Sequence, residues 1–180
     1  MRKFLWSFFE TFESVAIAAI TVFLIRSLVA QPFLVSGSSM SPTFQDGDYL
    51  LVDELTYKFR EPQRGEVLVF AYPGDRSTYY IKRVIGLPNE TVTIIDGKVE
   101  VRSNDENELV LKEPYVASNT TMSNMEVVLK DGQYFMMGDN RNFSFDSRSW
   151  GPLSKADIVG FARLRLWPIE KAMAFTAQAY

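Results

Sequence analysis

The chain has 180 residues, 47% of them hydrophobic and 23% charged, with a formal net charge of −3. That suits one domain with a proper core plus an apolar segment, and it offers no basic stripe for nucleic acid. There is no histidine and no cysteine. Ser-His-Asp triads, thiol proteases, disulfides and His/Cys metal sites are therefore excluded, and any acyl-transfer chemistry must take its base from Lys, Asp, Glu, Tyr or a terminal amine.

The first apolar run has an uncharged core from Ser14 to Ile25. Extended from Phe8 to Ala30 it reaches the roughly 20 residues that a bilayer span needs. Glu10, Glu13 and Arg26 then lie near the ends, where charges reach the interface at modest cost. Trp6, Phe8 and Phe9 suit an interfacial belt, and Arg2 and Lys3 set the N-terminus on the cytoplasmic side. Leu28-Val29-Ala30 lacks the paired small residues of a cleaved leader. A buried core helix is the competing reading, because the uncharged run is only core-helix length. An amphipathic interfacial helix fits poorly, since the run is apolar on all faces. The expected organisation is an anchor over residues 1–30 and a β domain over 31–180.

Pro32 ends helix propagation. Beyond it, short runs rich in Val, Ile, Tyr and Phe alternate with turn residues. Strands are expected at Tyr49–Val52, Glu66–Tyr72, Tyr79–Ile85, Thr91–Ile95, Lys98–Val101, Glu108–Lys112, Met125–Val128 and Tyr134–Met137. Asp96-Gly97 is a hairpin turn, and Pro73-Gly74-Asp75 and Leu87-Pro88-Asn89 mark further turns. Ser103–Asn107 and Ala117–Asn124 read as loops, and Lys155–Ile158 as a short helical turn capped by Ser154. Leu164, Leu166, Trp167 and Ile169 form a last strand or pack under the sheet, while Ala172–Tyr180 gives no clear signal. The fold class is mainly β: a coiled antiparallel sheet or partly closed barrel after one N-terminal helix.

Three blocks could carry chemistry. Ser36-Gly37-Ser38-Ser39-Met40-Ser41-Pro42-Thr43-Phe44 could hold an exposed serine on a stiff loop, although four serines in six residues also suit an ordinary surface loop. In Tyr79–Pro88, alternation puts Tyr80 and Lys82 on one face and Ile81 and Arg83 on the other. Burial of Lys82 would lower its pKa, but a lone strand lysine is more often a snorkelling one. The stretch Phe135–Gly151 is dense in Asp, Asn, Arg and Ser. It reads as a structural ion-pair network. Its carboxylates lack the surroundings of an aspartic dyad or a calcium loop.

Together these blocks resemble type I signal peptidases. The blocks Gly37-x-Ser39-Met40-x-Pro42-Thr43, Arg64–Phe70, Tyr80–Pro88 and Gly138-Asp139-Asn140-Arg141…Ser144-x-Asp146-Ser147-Arg148 stand in the family's order. Arg26-Ser27 and Pro32-Phe33 also fit. The resemblance runs from the anchor to about Trp167. It implies a membrane-bound serine endopeptidase that removes signal peptides from exported preproteins, with its catalytic domain on the extracytoplasmic side. Ser39 resembles the nucleophile, Lys82 the base and Ser144 the hydroxyl that orients it. Asp139, Arg141, Asp146 and Arg148 resemble structural support. The backbone N–H groups of Gly37 and Ser39 would stabilise the oxyanion. Val35, Met40, Phe44 and Ile81 would line shallow pockets for the small residues of an A-x-A-like site. The partners implied are preprotein signal peptides, the lipid bilayer and the export machinery, with no nucleic acid. No cofactor or metal is implied. Where the family often has Asp-Asn between Arg141 and Ser144, this chain has Asn142-Phe143.

Two other functions remain open on the sequence. A self-cleaving Ser/Lys repressor-type protease shares the dyad but would be cytosolic and carry a DNA-binding segment. An anchored β domain that only binds partners would leave Ser39 and Lys82 without a catalytic role.

Overall fold

Pro32 lies inside a strand. In the computed structural model, which describes residues 11–21, 30–103, 108–116, 120 and 122–180, β1 (Ala30–Leu34) pairs antiparallel with β2 (Tyr49–Asp53), placing Pro32 opposite Leu51. The strand escaped sequence reading because proline removes a ladder donor. It is tolerated here because β1 is the edge of its sheet.

Residues 11–21 form helix α1. The rest of the expected span, 8–10 and 22–29, lies outside the described residues. Among those described, no helix is long and apolar enough to cross a membrane. The described turns of α1 are not a core helix, since Phe12, Val15, Ile17 and Ile20 are 58–64% exposed.

The remaining strands are β3 (Val67–Tyr72), β4 (Asp75–Gly86), β5 (Thr91–Ile95), β6 (Lys98–Arg102), β7 (Glu108–Val110), β8 (Met125–Val128), β9 (Gln133–Met137), β10 (Leu153–Ser154), β11 (Ile158–Trp167) and β12 (Met173–Ala174). They form two antiparallel sheets. The larger runs β1-β2-β11-β3-β4-β9-β10 with β12 on β11, and the smaller runs β7-β6-β5-β8. Among the described residues no ladder joins β1 to β10, so the larger sheet is open: the antiparallel sheet expected from the sequence is present, and no closed barrel forms. The second sheet draws β5 to β8 out of that path, and the β4–β5 and β8–β9 connections and shared core side chains join the two.

The Asp96-Gly97 turn between β5 and β6 has positive φ at both residues (50° and 78°), as a type I′ hairpin requires. Strand β11 is longer than expected. Its irregular hydrophobic pattern follows from register shifts between Ile158 and Gly160, Ala162 and Leu164, and Arg165 and Trp167. Each bulge breaks the period-2 alternation that marks a strand in sequence.

Burial is organised in three clusters. Ile85, Phe135 and Met137 of the larger sheet pack on Val92, Ile94, Val99 and Val101 of the smaller. Leu68, Phe70, Val84, Tyr134 and Met136 form a second cluster. The third, with Val35, Met40, Phe44, Leu50, Val67 and Ala162, lies under the loop that follows β1. Strand β4 touches all three. Tyr80 and Val84 join one cluster, Ile81 and Ile85 the other two, as alternation requires. That places Lys82 at the junction of the core.

Candidate active site

Ser39 sits in the β1–β2 loop, which is anchored at both ends. The Val35 N–H donates to the Asp48 carbonyl at 2.9 Å, and the Gly47 N–H to the Val35 carbonyl at 3.0 Å. Met40 and Phe44 point inward as plugs, 1% and 0% exposed. The N–H of Phe44 donates to the Met40 carbonyl at 2.9 Å, closing one turn. Below them Arg165 pairs with Asp48 at 2.9 Å. A loop pinned by two apolar plugs and a buried ion pair presents a half-buried Ser39 in one orientation.

The partner of Ser39 comes from β4. Lys82 Nζ donates to Ser39 Oγ at 2.8 Å and to the Ile81 carbonyl at 2.8 Å. Lys82 is 4% exposed, and its Nζ lies 5.2 Å from the centre of the Tyr80 ring. Burial disfavours the ammonium and lowers its pKa from 10.5 to about 8, against the opposing pull of the Asp146 and Asp139 carboxylates. A strand lysine facing the core, with one hydroxyl and one carbonyl for company, is poorly solvated as a cation. This is how a lysine becomes a base at near-neutral pH.

The turn after β9 fastens these two pieces together. Asp139 accepts from Arg83 Nε at 2.8 Å and Nη2 at 2.6 Å, and from the Thr43 hydroxyl at 2.5 Å. It thus links the base strand to the serine loop. The Asn140 N–H donates to the Ser39 carbonyl at 3.0 Å, and its side-chain amide to the Ser38 carbonyl at 3.1 Å. Gly138 makes this approach possible, because a Cβ there would collide with Ser144 Oγ and the Ser39 carbonyl. Asp146, fully buried, caps the short helix α2 (Ser147–Trp150) by accepting from the Arg148 N–H. It also accepts from the Gly138 N–H at 3.0 Å and pairs with the Arg148 guanidinium at 2.8 Å. Burial works to raise the Asp146 pKa, but these donors hold it below the ordinary carboxylate value.

A serine hydrogen-bonded to a buried lysine, in a chain without histidine or cysteine, is an arrangement for nucleophilic acyl transfer. The chain matches the family model described as "Signal peptidase, peptidase S26" over residues 8–167. It belongs to that signal peptidase family. It is 35% identical over 176 residues to "Probable signal peptidase I-2" of a Synechocystis species, covering 94% of this chain and 78% of the relative. It is 32% identical to signal peptidase I of Leptolyngbya laminosa, covering 90% and 81%. It is 34% identical to signal peptidase I V of Bacillus subtilis, covering 89% and 96%. Membership makes the chain a serine peptidase, a hydrolase of the class that removes signal peptides.

The residues that the resemblance to signal peptidases brings forward do not all occupy the geometry expected of them. Ser144 Oγ makes no hydrogen bond to Lys82. It is buried near Asp146, whose charge it helps stabilise without a well-formed hydrogen bond. The Gly37 N–H donates to Asp46 Oδ1 at 2.7 Å, so it is not aimed at an oxyanion. The Ser39 N–H makes no hydrogen bond among the described residues. Asp146 and Arg148 pair with each other, whereas Asp139 and Arg141 do not. Arg141 is instead held bidentate by Glu113, at 2.8 and 2.5 Å. Val35 and Ile81 line the groove beside Ser39. Met40 and Phe44 lie beneath it, because apolar plugs are what hold the loop down. No cluster of His, Cys, Asp or Glu suited to a metal occurs among the described residues.

Arg83, Thr43 and Asn140 stand in the motifs but were given no role from the sequence, and Glu113 was not singled out. Arg83 carried a signal, a charge on the inward-facing half of a core strand, which must find a buried partner. The roles of Thr43 and Asn140 depend on a chain reversal that no local pattern encodes.

Proposed function

We propose that this signal peptidase is a membrane-anchored endopeptidase in which Ser39 attacks the scissile carbonyl and Lys82 is the general base. One observation carries the reading: the 2.8 Å contact between Lys82 Nζ and Ser39 Oγ in a site where the lysine is almost fully buried. With a pKa of about 8, about a tenth of the amine is uncharged at pH 7. The direction of the hydrogen bond then reverses. The Ser39 hydroxyl donates to the nitrogen, and its proton passes there as the Oγ–carbon bond forms. Lys82 returns that proton to the leaving amine as the C–N bond breaks, and water hydrolyses the acyl-enzyme. General-base help of this kind is worth about 10²–10⁴-fold. The Ser39 N–H is the backbone donor available for the oxyanion.

The substrates are preproteins whose signal peptides end in small residues of the A-x-A type. Val35 and Ile81 border the groove next to Ser39 and supply apolar contact for those side chains. Residues 1–30 form the anchor and 31–180 the catalytic domain on the extracytoplasmic side, beside the lipid and the export machinery. The exposed apolar side chains of α1 support a lipid environment, since no protein core covers them. Anchoring raises the effective concentration of enzyme and signal peptide at one surface.

Cleavage of a preprotein by the detergent-solubilised chain, compared with Ser39→Ala and Lys82→Met, tests the dyad. Each variant is expected to lose at least about 10³-fold in kcat/KM. Retained activity in either one removes its residue from the mechanism.

A further inference from the structure

The groove around Ser39 and Lys82 encloses about 330 Å³. That is the scale of pockets for whole small molecules, and more than two small side chains at a scissile bond would fill. Part of its wall comes from Phe143 and Phe145, on either side of Ser144, neither of which has a role in the mechanism above. Both are exposed large aromatics, 74% and 51% accessible.

Phe145 is held in place. Its ring meets Tyr72 edge-on at 5.8 Å, and Tyr72 stacks on Tyr80 at 4.9 Å. The Tyr80 ring in turn lies 5.2 Å from Lys82 Nζ. A row of aromatic rings therefore leads from the lysine to the rim of the groove. A rigid apolar wall of this kind costs little conformational entropy when it binds.

The chemistry supplies a direction. Lys82 hands its proton to the leaving amine, so the peptide beyond the scissile bond departs past Lys82 and along whatever adjoins it. We propose that Phe143 and Phe145 form an aromatic subsite for a bulky apolar side chain within the first two residues after the cut. The subsite rests on the Ser39–Lys82 reading. It would make the enzyme selective on the mature side of the junction as well as for small residues before it.

The test uses the 180-residue chain in detergent and, in parallel, in lipid vesicles. Paired substrates share one A-x-A junction and differ by Phe or Ala at the first or, separately, the second residue after the cut. Wild-type protein is expected to favour Phe at one of these positions by about tenfold in kcat/KM, the range an apolar pocket supplies. Phe143→Ala and Phe145→Ala should lose more on the Phe substrate than on its Ala partner, bringing the ratio toward one. Both side chains are exposed, so the substitutions leave the core intact. An unchanged Phe/Ala ratio in both variants overturns the subsite while leaving the dyad standing. Equal losses on both substrates, seen with lipid vesicles and not in detergent, would assign the two rings to lipid contact and also overturn it. Failure of wild-type protein to cut any substrate would remove the peptidase reading and the subsite together.

Discussion

The backbone N–H of Asn140 donates to the carbonyl oxygen of Ser39 at 3.0 Å, across 101 residues of chain. The Asn140 side chain repeats the gesture one residue earlier, on Ser38. The orientation of the serine is thus set by the turn after β9 as well as by its own loop. Asn140→Ala keeps the backbone bond and loses the side-chain one, worth about 1 kcal/mol. The expected result is a kcat about five- to tenfold lower with KM little changed, read by steady-state kinetics on a preprotein substrate.

Gly138 is the hinge of the same contact. Any Cβ there would drive into Ser144 Oγ and the Ser39 carbonyl, one of them a backbone atom that cannot swing away. Gly138→Ala should therefore cost more activity than Asn140→Ala. It should also lower Tm by several degrees in a thermal melt, since overpacking costs about 1–3 kcal/mol.

Lys82 is held at a cost to stability. Its folded pKa, about 8, lies below its ordinary 10.5, so between those values the unfolded chain binds more protons than the folded one. Stability must then rise with pH across that window. The penalty at pH 7 is about 3 kcal/mol. Lys82→Met, inactive, should be the more stable protein at pH 7 by up to that amount. Its advantage should shrink as pH climbs from 8 to 10.5, and parallel denaturant titrations measure both curves.

Asp146 behaves in the opposite sense. Its folded pKa is held below the ordinary 3.8, so the stability it contributes is complete above that value and is lost as pH falls through the depressed one. Asp146→Asn should be less stable at neutral pH by about 3 kcal/mol, because it breaks a buried pair. Its acid unfolding curve should be flatter than that of the wild type below about pH 4.

The strands with clean alternation were legible in the sequence. Thr91–Ile95 and Met125–Val128 have the expected bounds, and the Asp96-Gly97 hairpin turn has the expected geometry. The two-residue strands β10 and β12 are too short to show a pattern, and two longer strands were not legible either. β1 was hidden by Pro32, a residue acceptable only at a sheet edge, and most of β11 by its three register shifts. In the site, the pairing of Ser39 with Lys82 was implied by the resemblance of four motifs to signal peptidases. The Asp146–Arg148 pair was implied by the same resemblance, but the partners of Asp139 and Arg141 did not follow. Asp139 and Arg141, two apart in sequence, pair with Arg83 and Glu113, 56 and 28 residues away. Only the folded turn decides between such choices. Gly37 was misassigned for a similar reason: its N–H was free to face an oxyanion until the loop brought Asp46 to it.

The central claim is that an uncharged Lys82 amine activates Ser39, and the pH dependence of kcat/KM for preprotein cleavage tests it most directly, because that ratio reports ionisations of the free enzyme. The expected profile falls on the acid side with the slope of one proton, half-maximal near pH 8 as burial of the amine requires. A profile flat from about pH 6 to 9 would contradict it, since an ammonium cannot accept the serine proton.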